Sequence, residues 1–336
     1  MATRPHGTAR PLGIIAEGFE TGQGSFGAGG PGMDLNDIAV REFNAQCRLP
    51  DVAVAVAAIK ALTSVIRLSS SSTLMGLSQD LSAAANALQK MSPSSMGLKA
   101  GCELFLRYTT RTRELESADF AHVKARLIER GNQFAETSTR ARQTIAQLGS
   151  HFVRPGACIL THGYSRVVLA LLSTAAAQGV NFSVVCTEGR ADGTGLLMAR
   201  ALSDLGLPTT MILDSGVAYS LDRVDLVLVG AEAVVENGGI VSKLGTYQIA
   251  ICAMALNKPF YVAAESYKFA RLYPLTQKDL PDQRAPIDLG PLVPPKVTFD
   301  NPSRDFTPPN MITMLVTDLG ILTPAAVGDE LIQLYV

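Results

Sequence analysis

The chain has 336 residues, 47% of them apolar and 18% charged, which is too apolar for a disordered polymer and enough for two compact domains or one large one. With 29 Lys and Arg against 30 Asp and Glu the net charge is -1, so no basic excess exists to hold a nucleic-acid backbone by counterion release. No uninterrupted apolar run of about 18 residues occurs, which argues against a membrane span.

Residues 1–32 read as a disordered tail. The stretch from Gly18 to Gly32 holds seven Gly in fifteen residues and no apolar period, so it cannot bury enough surface to offset the entropy of ordering it. Its Gly22-Gln23-Gly24-Ser25-Phe26-Gly27 formally matches a dinucleotide fingerprint, but no strand precedes it, and that fingerprint has meaning only between a strand and a helix. The first residues lack the apolar core of a signal peptide. Two Arg and a late first acid, Glu17, are all they share with a mitochondrial presequence.

Residues 33–150 carry helical periodicity throughout. Val52, Val56, Ile59, Leu62 and Ile66 form one stripe, and Leu74, Leu77, Leu81, Ala84 and Leu88 form another that ends near Pro93. Cys102, Leu104, Phe105 and Tyr108 belong to a third helix. Phe120, Val123, Leu127 and Ile128 begin a fourth that Gly131 is expected to interrupt. This is an all-helical domain of about four to six helices.

From residue 151 the texture becomes α/β. Apolar runs at 157–162, 181–188, 209–214, 224–232, 259–265 and 311–318 alternate with helical stretches near 164–177, 193–205, 244–256 and 323–335. Such alternation predicts a Rossmann-like, mostly parallel sheet with helices on both faces. Thr323-Pro324 is a good helix start, and the last helix is expected to bury Leu331 and Leu334. Residues 274–310 hold nine Pro and read as a long ordered loop, with Phe269, Arg271, Tyr273 and Phe306 around it as candidate interface anchors. Cys158, Cys186 and Cys252 lie in apolar runs and read as buried thiols of a reducing compartment. The four His have no zinc spacing. A soluble cytoplasmic protein without a metal is expected.

Ligands of an open α/β sheet bind beyond the carboxyl ends of its strands. Here those ends carry Thr161-His162, Thr187-Glu188, Asp214, Glu232, Glu265-Ser266 and Thr317-Asp318, with Gly163, Gly189, Gly230, Gly238, Gly239 and Gly245 close by and Arg166, Arg190, Lys243 and Lys268 as cations. Gly-rich turns suit a phosphate and carboxylates suit sugar hydroxyls, so a sugar phosphate or nucleotide monophosphate is the ligand class. The competing reading is that these groups simply pair with one another.

The sharpest block is Gly230-Ala231-Glu232-Ala233-Val234-Val235-Glu236-Asn237-Gly238-Gly239-Ile240-Val241-Ser242-Lys243-Leu244-Gly245-Thr246. It resembles the G-A-D-x-(I/V)-x-x-N-G-x-x-x-N-K-x-G-T signature of the superfamily that unites methylthioribose-1-phosphate isomerase, ribose-1,5-bisphosphate isomerase and the alpha, beta and delta subunits of eukaryotic translation initiation factor 2B. It departs from that pattern at Glu232 and Ser242. The stretches Ile159–Val168, Asn257–Ser266 and Leu319–Ile332 are similar to the alpha-subunit branch. The resemblance runs from Met33, like the family's usual beginning, to Val336, so the tail is an extension or a mis-assigned start.

The resemblance implies a chain without isomerase chemistry. The isomerases are thought to use a Cys and an Asp; the matching positions here are Gly163, which has no side chain to move a proton, and Glu232, one methylene longer. A misplacement of about 1 Å in a catalytic group can cost ~100-fold. The R-G-A-P-A-I-G segment of the isomerases aligns with Val54–Lys60, without its Arg. The phosphate-side residues partly match: Glu188, Arg190 and Gly195 from the E-T-R-P-x-x-Q-G pattern, then Lys243, Gly245 and Thr246. The implied site is therefore a vestigial pocket of Thr161, His162, Gly163, Glu188, Arg190, Gly195, Glu232, Asn237, Gly238, Lys243, Gly245 and Thr246, taking a regulatory sugar phosphate or nucleotide. No other cofactor is implied. The resemblance further implies a regulatory subunit of the exchange factor for initiation factor 2. Such a subunit is a homodimer through its sheet domain, assembled with beta, gamma, delta and epsilon subunits, and it helps sense initiation factor 2 phosphorylated on its alpha subunit. The alternatives are an active aldose–ketose isomerase and the beta or delta paralogue.

Overall fold

The computed structural model describes residues 34–335 apart from 50–51, 93–94, 111–119, 281–283, 285–295 and 299. The Gly-rich segment 1–32 lies outside the described residues. Five helices come first: α1 (Leu35–Cys47), α2 (Val54–Leu68), α3 (Leu74–Met91), α4 (Met96–Thr110) and α5 (Phe120–Ser150). Asp34 and Thr73 cap α1 and α3 by accepting from the amides of Asn36 and Gly76. Ten of the fifteen residues of α2 are buried, which makes it the centre around which α1, α3, α4 and α5 pack. Its Ile59, Leu62 and Ile66 meet Phe43, Leu81, Leu98 and Phe105 in one apolar cluster.

Gly131 does not interrupt α5, which runs unbroken for 31 residues. A Cβ at Gly131 would stand 2.4 Å from Thr63 Oγ1, so the glycine is where α5 presses on α2. The same long helix continues onto the second half of the chain. Ile145 and Ala146 join the apolar cluster of the sheet.

The second half runs β1 (Cys158–Thr161), α6 (Arg166–Ala177), β2 (Ser183–Thr187), α7 (Thr194–Asp204), β3 (Thr209–Ile212), α8 (Val217–Ser220), β4 (Leu226–Gly230), β5 (Ala233–Val235), β6 (Ile240–Lys243), α9 (Thr246–Ala255), β7 (Phe260–Ala263), β8 (Phe269–Ala270), β9 (Arg304–Thr307), β10 (Met314–Thr317), β11 (Gly320–Leu322) and α10 (Val327–Tyr335). All six strands expected from the sequence lie in one seven-stranded sheet of order β11-β10-β7-β4-β1-β2-β3, parallel except for the edge strand β11. The fold is α/β, with α6 and α7 covering one face and α8, α9 and α10 the other. Every residue of β4 is buried, as expected for a central strand covered on both sides.

A second sheet, of order β8-β5-β6-β9, was not expected. Its strands are two to four residues long, too short for a period-2 signal. Strand β9 lies inside the Pro-rich stretch read as loop. Phe269 and Phe306, expected as interface anchors, are 1% and 2% exposed and belong to the core. Tyr273 is exposed, and Arg271 lies 3.7 Å from Glu236. The last helix begins with a 3-10 turn, Pro324–Ala326, in which the Thr323 hydroxyl makes no cap bond. Leu331 is buried, whereas the side chain of Leu334 lies outside the described residues.

Candidate functional site

The chain reverses its direction across the sheet between β1 and β4, so the crevice beyond their carboxyl ends is the topological switch point, where ligands of this architecture bind. Strand β1 delivers His162 and Gly163 to it. His162 is 6% exposed, and its Nε2 lies 2.9 Å from the carbonyl of Leu244. That nitrogen must carry the proton, leaving Nδ1 to accept from the Thr187 hydroxyl at 2.5 Å. Burial pushes the ring's pKa down, so the imidazole is a neutral tie between β1, β2 and the turn after β6. Gly163 has φ +65, and a Cβ there would stand 3.3 Å from Lys243 Cγ and 3.5 Å from Thr194 Oγ1. Position 163 thus faces Lys243.

Lys243, the last residue of β6, reaches across to Asp192 at 2.7 Å. Burial opposes the charge on Asp192, but Lys243 and the Thr194 hydroxyl and amide outweigh it and hold the carboxyl below its usual range. Gly189 and Arg190 donate their amides to Asp214 at 3.0 and 2.7 Å, which fixes the turn after β2. The Glu188 amide donates to Ile212. Gly195 is required by packing, because a Cβ would lie 1.9 Å from the Thr187 carbonyl. After β4, Glu232 pairs with Arg304 of β9. After β6, Thr246 donates its hydroxyl to the Lys243 carbonyl at 2.6 Å, and Gly245 and Tyr247 donate their amides to Asp305 Oδ2 at 2.7 and 3.0 Å. Thr161 ends β1 fully buried.

Two expected residues do not join this group. Asn237 and Gly238 form the turn at the far end of the β5–β6 hairpin, about 10 Å away by strand rise. Asn237 accepts from the Gly239 amide at 2.9 Å and donates to the Pro274 carbonyl at 3.0 Å. Gly238 has φ +83, and a Cβ would lie 2.0 Å from the Pro324 carbonyl. Their side of the signature is explained by a tight turn packed under the C-terminal segment. Arg304 and Asp305, by contrast, were missed. Arg304-Asp305-Phe306-Thr307 does not alternate polar with apolar and lies in a Pro-rich stretch, so no local sequence signal marks them.

Five acids around the strand ends have partners among the described residues; Glu188 is held here only through its backbone amide. Asp192 has Lys243, Glu232 has Arg304, and Glu265 has Lys268 at 2.8 Å. Asp214 binds two amides, and Asp318 accepts from the Ser266 amide and hydroxyl at 2.7 Å each. Cys186, on β2, is buried on the other face, and burial pushes its thiol up to about 12. Among the described residues no group of three or more His, Cys, Asp or Glu could hold a metal. What remains is chemistry for an anion: Lys243, Arg304 and the amides of the turns, if they exchange their present partners. A separate cleft of about 550 Å³ lies in the helical domain between α1, α2 and α5, lined by Glu42, Lys60, Ser64, Arg67, Glu136 and Arg140 among others.

Residues 49–324 match the family described as the Initiation factor 2 subunit family. The chain is 44% identical over 318 residues to translation initiation factor eIF2B subunit alpha of Dictyostelium discoideum, covering 91% of this chain and 99% of that one. It is 34% identical to the subunit alpha of Caenorhabditis elegans, covering 85% and 94%. A ribose 1,5-bisphosphate isomerase of Methanocaldococcus jannaschii is 35% identical over a smaller share, 60% of this chain and 66% of that one. In fold, the chain is similar to the tetrameric beta2-delta2 complex of eIF2B from C. thermophilum, with TM-score 0.72 at 18% identity over 90% and 94% of the two chains. No helix among the described residues is long and apolar enough to cross a membrane.

Proposed function

The chain belongs to the Initiation factor 2 subunit family, and from that membership we propose that it is a non-catalytic regulatory subunit, of the alpha kind, of the guanine-nucleotide exchange factor for translation initiation factor 2. The observation that carries this reading is the 44% identity to an alpha subunit over 91% of the chain. Gly163 supports the non-catalytic part, since it offers no side chain where the isomerases carry their Cys, and Glu232 is engaged by Arg304. In this role the chain forms a homodimer through its sheet domain and joins beta, gamma, delta and epsilon subunits in the cytosol. Its helical domain faces initiation factor 2 phosphorylated on the alpha subunit. The switch-point crevice takes a sugar phosphate or nucleotide monophosphate as a regulatory ligand, with Lys243, Arg190, Arg304 and the turn amides as its anion-binding groups.

An exposed apolar belt supports the dimer. Leu196 and Leu197 on α7, Met211 on the edge strand β3, Leu213 beyond it and Tyr219 on α8 are 42–90% exposed. Native mass measurement tests the assembly: a dimer is expected for the chain alone and a ten-subunit complex with the four other subunits. A monomer indifferent to those partners would overturn the reading. Turnover of ribose 1,5-bisphosphate or methylthioribose 1-phosphate above background would replace it with the isomerase reading.

A further inference from the structure

The small sheet touches both the candidate site and the helical domain. Its pairing Ala233↔Val241 and Lys243↔Arg304 brings Glu232, Lys243 and Arg304 to one end, at the switch-point crevice. Its Ala233, Val235, Val241, Ala270 and Phe306 pack in one cluster with Met96 and Ala100 of α4. Arg304 and Phe306 are two residues apart on β9 and so project from the same face. The 3-10 turn Ser266–Lys268, which leads into β8, packs on α4 as well, and Lys268 donates to the carbonyl of Ala231, beside Glu232, at 2.9 Å.

The charged end of this sheet is held by two ion pairs. Glu232 holds Arg304 and Asp192 holds Lys243. An anion that engages Arg304 and Lys243 competes with those carboxylates for their N–H donors and weakens the two pairs. We infer that the four-stranded sheet is a relay, by which the making and breaking of the Glu232–Arg304 pair is felt at α4 in the helical domain. The sheet is close-packed against α4 through Phe306, so a shift of β9 moves the helix contact rather than being absorbed by empty space.

Hydrogen exchange on the full chain tests the relay without any ligand. Glu232→Gln removes the charge that holds Arg304. It is expected to change amide exchange in α4 by about fivefold while leaving α6 unchanged, a size typical of coupling between packed sites. Adding Met96→Ala, which thins the α4 contact away from the crevice, should abolish the α4 response. Should Glu232→Gln fold poorly, Arg304→Gln breaks the same pair from its other side with the same expected readout. An effect confined to the strands of the small sheet, or an α4 response that survives Met96→Ala, would overturn the relay. A further arm, which rests on the regulatory-pocket reading, adds ribose 5-phosphate to the unmodified chain. Protection at Lys243–Thr246 together with a change in α4 supports both. Protection at Lys243–Thr246 with an unchanged α4 overturns the relay alone. No response anywhere overturns the pocket reading alone, and the Glu232→Gln arm still decides the relay.

Discussion

Asp305 closes the first turn of α9 from a strand 58 and 60 residues away along the chain, accepting from Tyr247 and Gly245 with one oxygen. Burial raises its carboxyl from 3.8 to about 7, and the two amides only partly offset this. A carboxyl whose folded value is raised stabilises the fold fully below its unfolded value, and that contribution is lost as pH rises through about 7. Asp305→Asn keeps an acceptor oxygen and removes the titration. The stability difference should therefore shift in the variant's favour by up to ~1.4 kcal/mol per pH unit between about pH 4 and 7 and flatten above. Urea unfolding at several pH values checks this, and parallel profiles for the two proteins would count against a raised carboxyl. His162, Gly163 and Lys243 were legible in the chain because each belongs to a contiguous block at a strand end. Asp305 was not, because nothing local in the Pro-rich stretch marks a residue whose partner is a distant helix terminus.

Helix α5 illustrates the limit of propensity at the scale of an element. A glycine inside a helix costs about 1 kcal/mol relative to alanine, and that cost motivated the expected break at Gly131. Tertiary contact reverses the expectation: Thr63 Oγ1, bonded to the Ile59 carbonyl at 2.7 Å, occupies the space a Cβ would need. Gly131→Ala should thus lose roughly 1–3 kcal/mol to overpacking, more than it gains in helix propensity. The test is a lower urea midpoint at unchanged m-value, with Thr63→Ala in the same chain restoring most of the loss. A stabilised Gly131→Ala protein would mean that α5 and α2 separate easily. The small sheet shows the opposite limit, since strands of two to four residues carry too few positions for a pattern, and only their mutual pairing makes them strands.

For the whole molecule, Leu196, Leu197, Met211, Leu213 and Tyr219 form an exposed apolar belt from α7 over β3 to α8 at one edge of the sheet. Helix α8 packs on α9, whose Ile251 and Met254 are also exposed, so the belt continues onto a second helix. Tyr219, 90% exposed, has the size and amphipathic character of an interface anchor. If the homodimer forms there, Tyr219→Ala combined with Leu213→Asp should weaken self-association by about tenfold or more while leaving the monomer's far-UV spectrum intact. Sedimentation across a concentration series reads this directly. An unchanged dimer would place the interface at another surface of the sheet domain.

The helical first half, the α/β class, the six long-run strands and the polar strand ends were all determined by the chain itself. Hydrophobic period and turn residues act over a few positions, and these features are of that length. The signature block likewise identified the family before any geometry was known. What only the tertiary structure decided is who pairs with whom. Glu232 meets Arg304 across 72 residues, Asn237 and Gly238 serve a turn rather than the crevice, and Phe269 and Phe306 face the core rather than a partner. These outcomes depend on which distant surfaces exclude water from each other, and that is a property of the packed chain as a whole rather than of any short stretch of it.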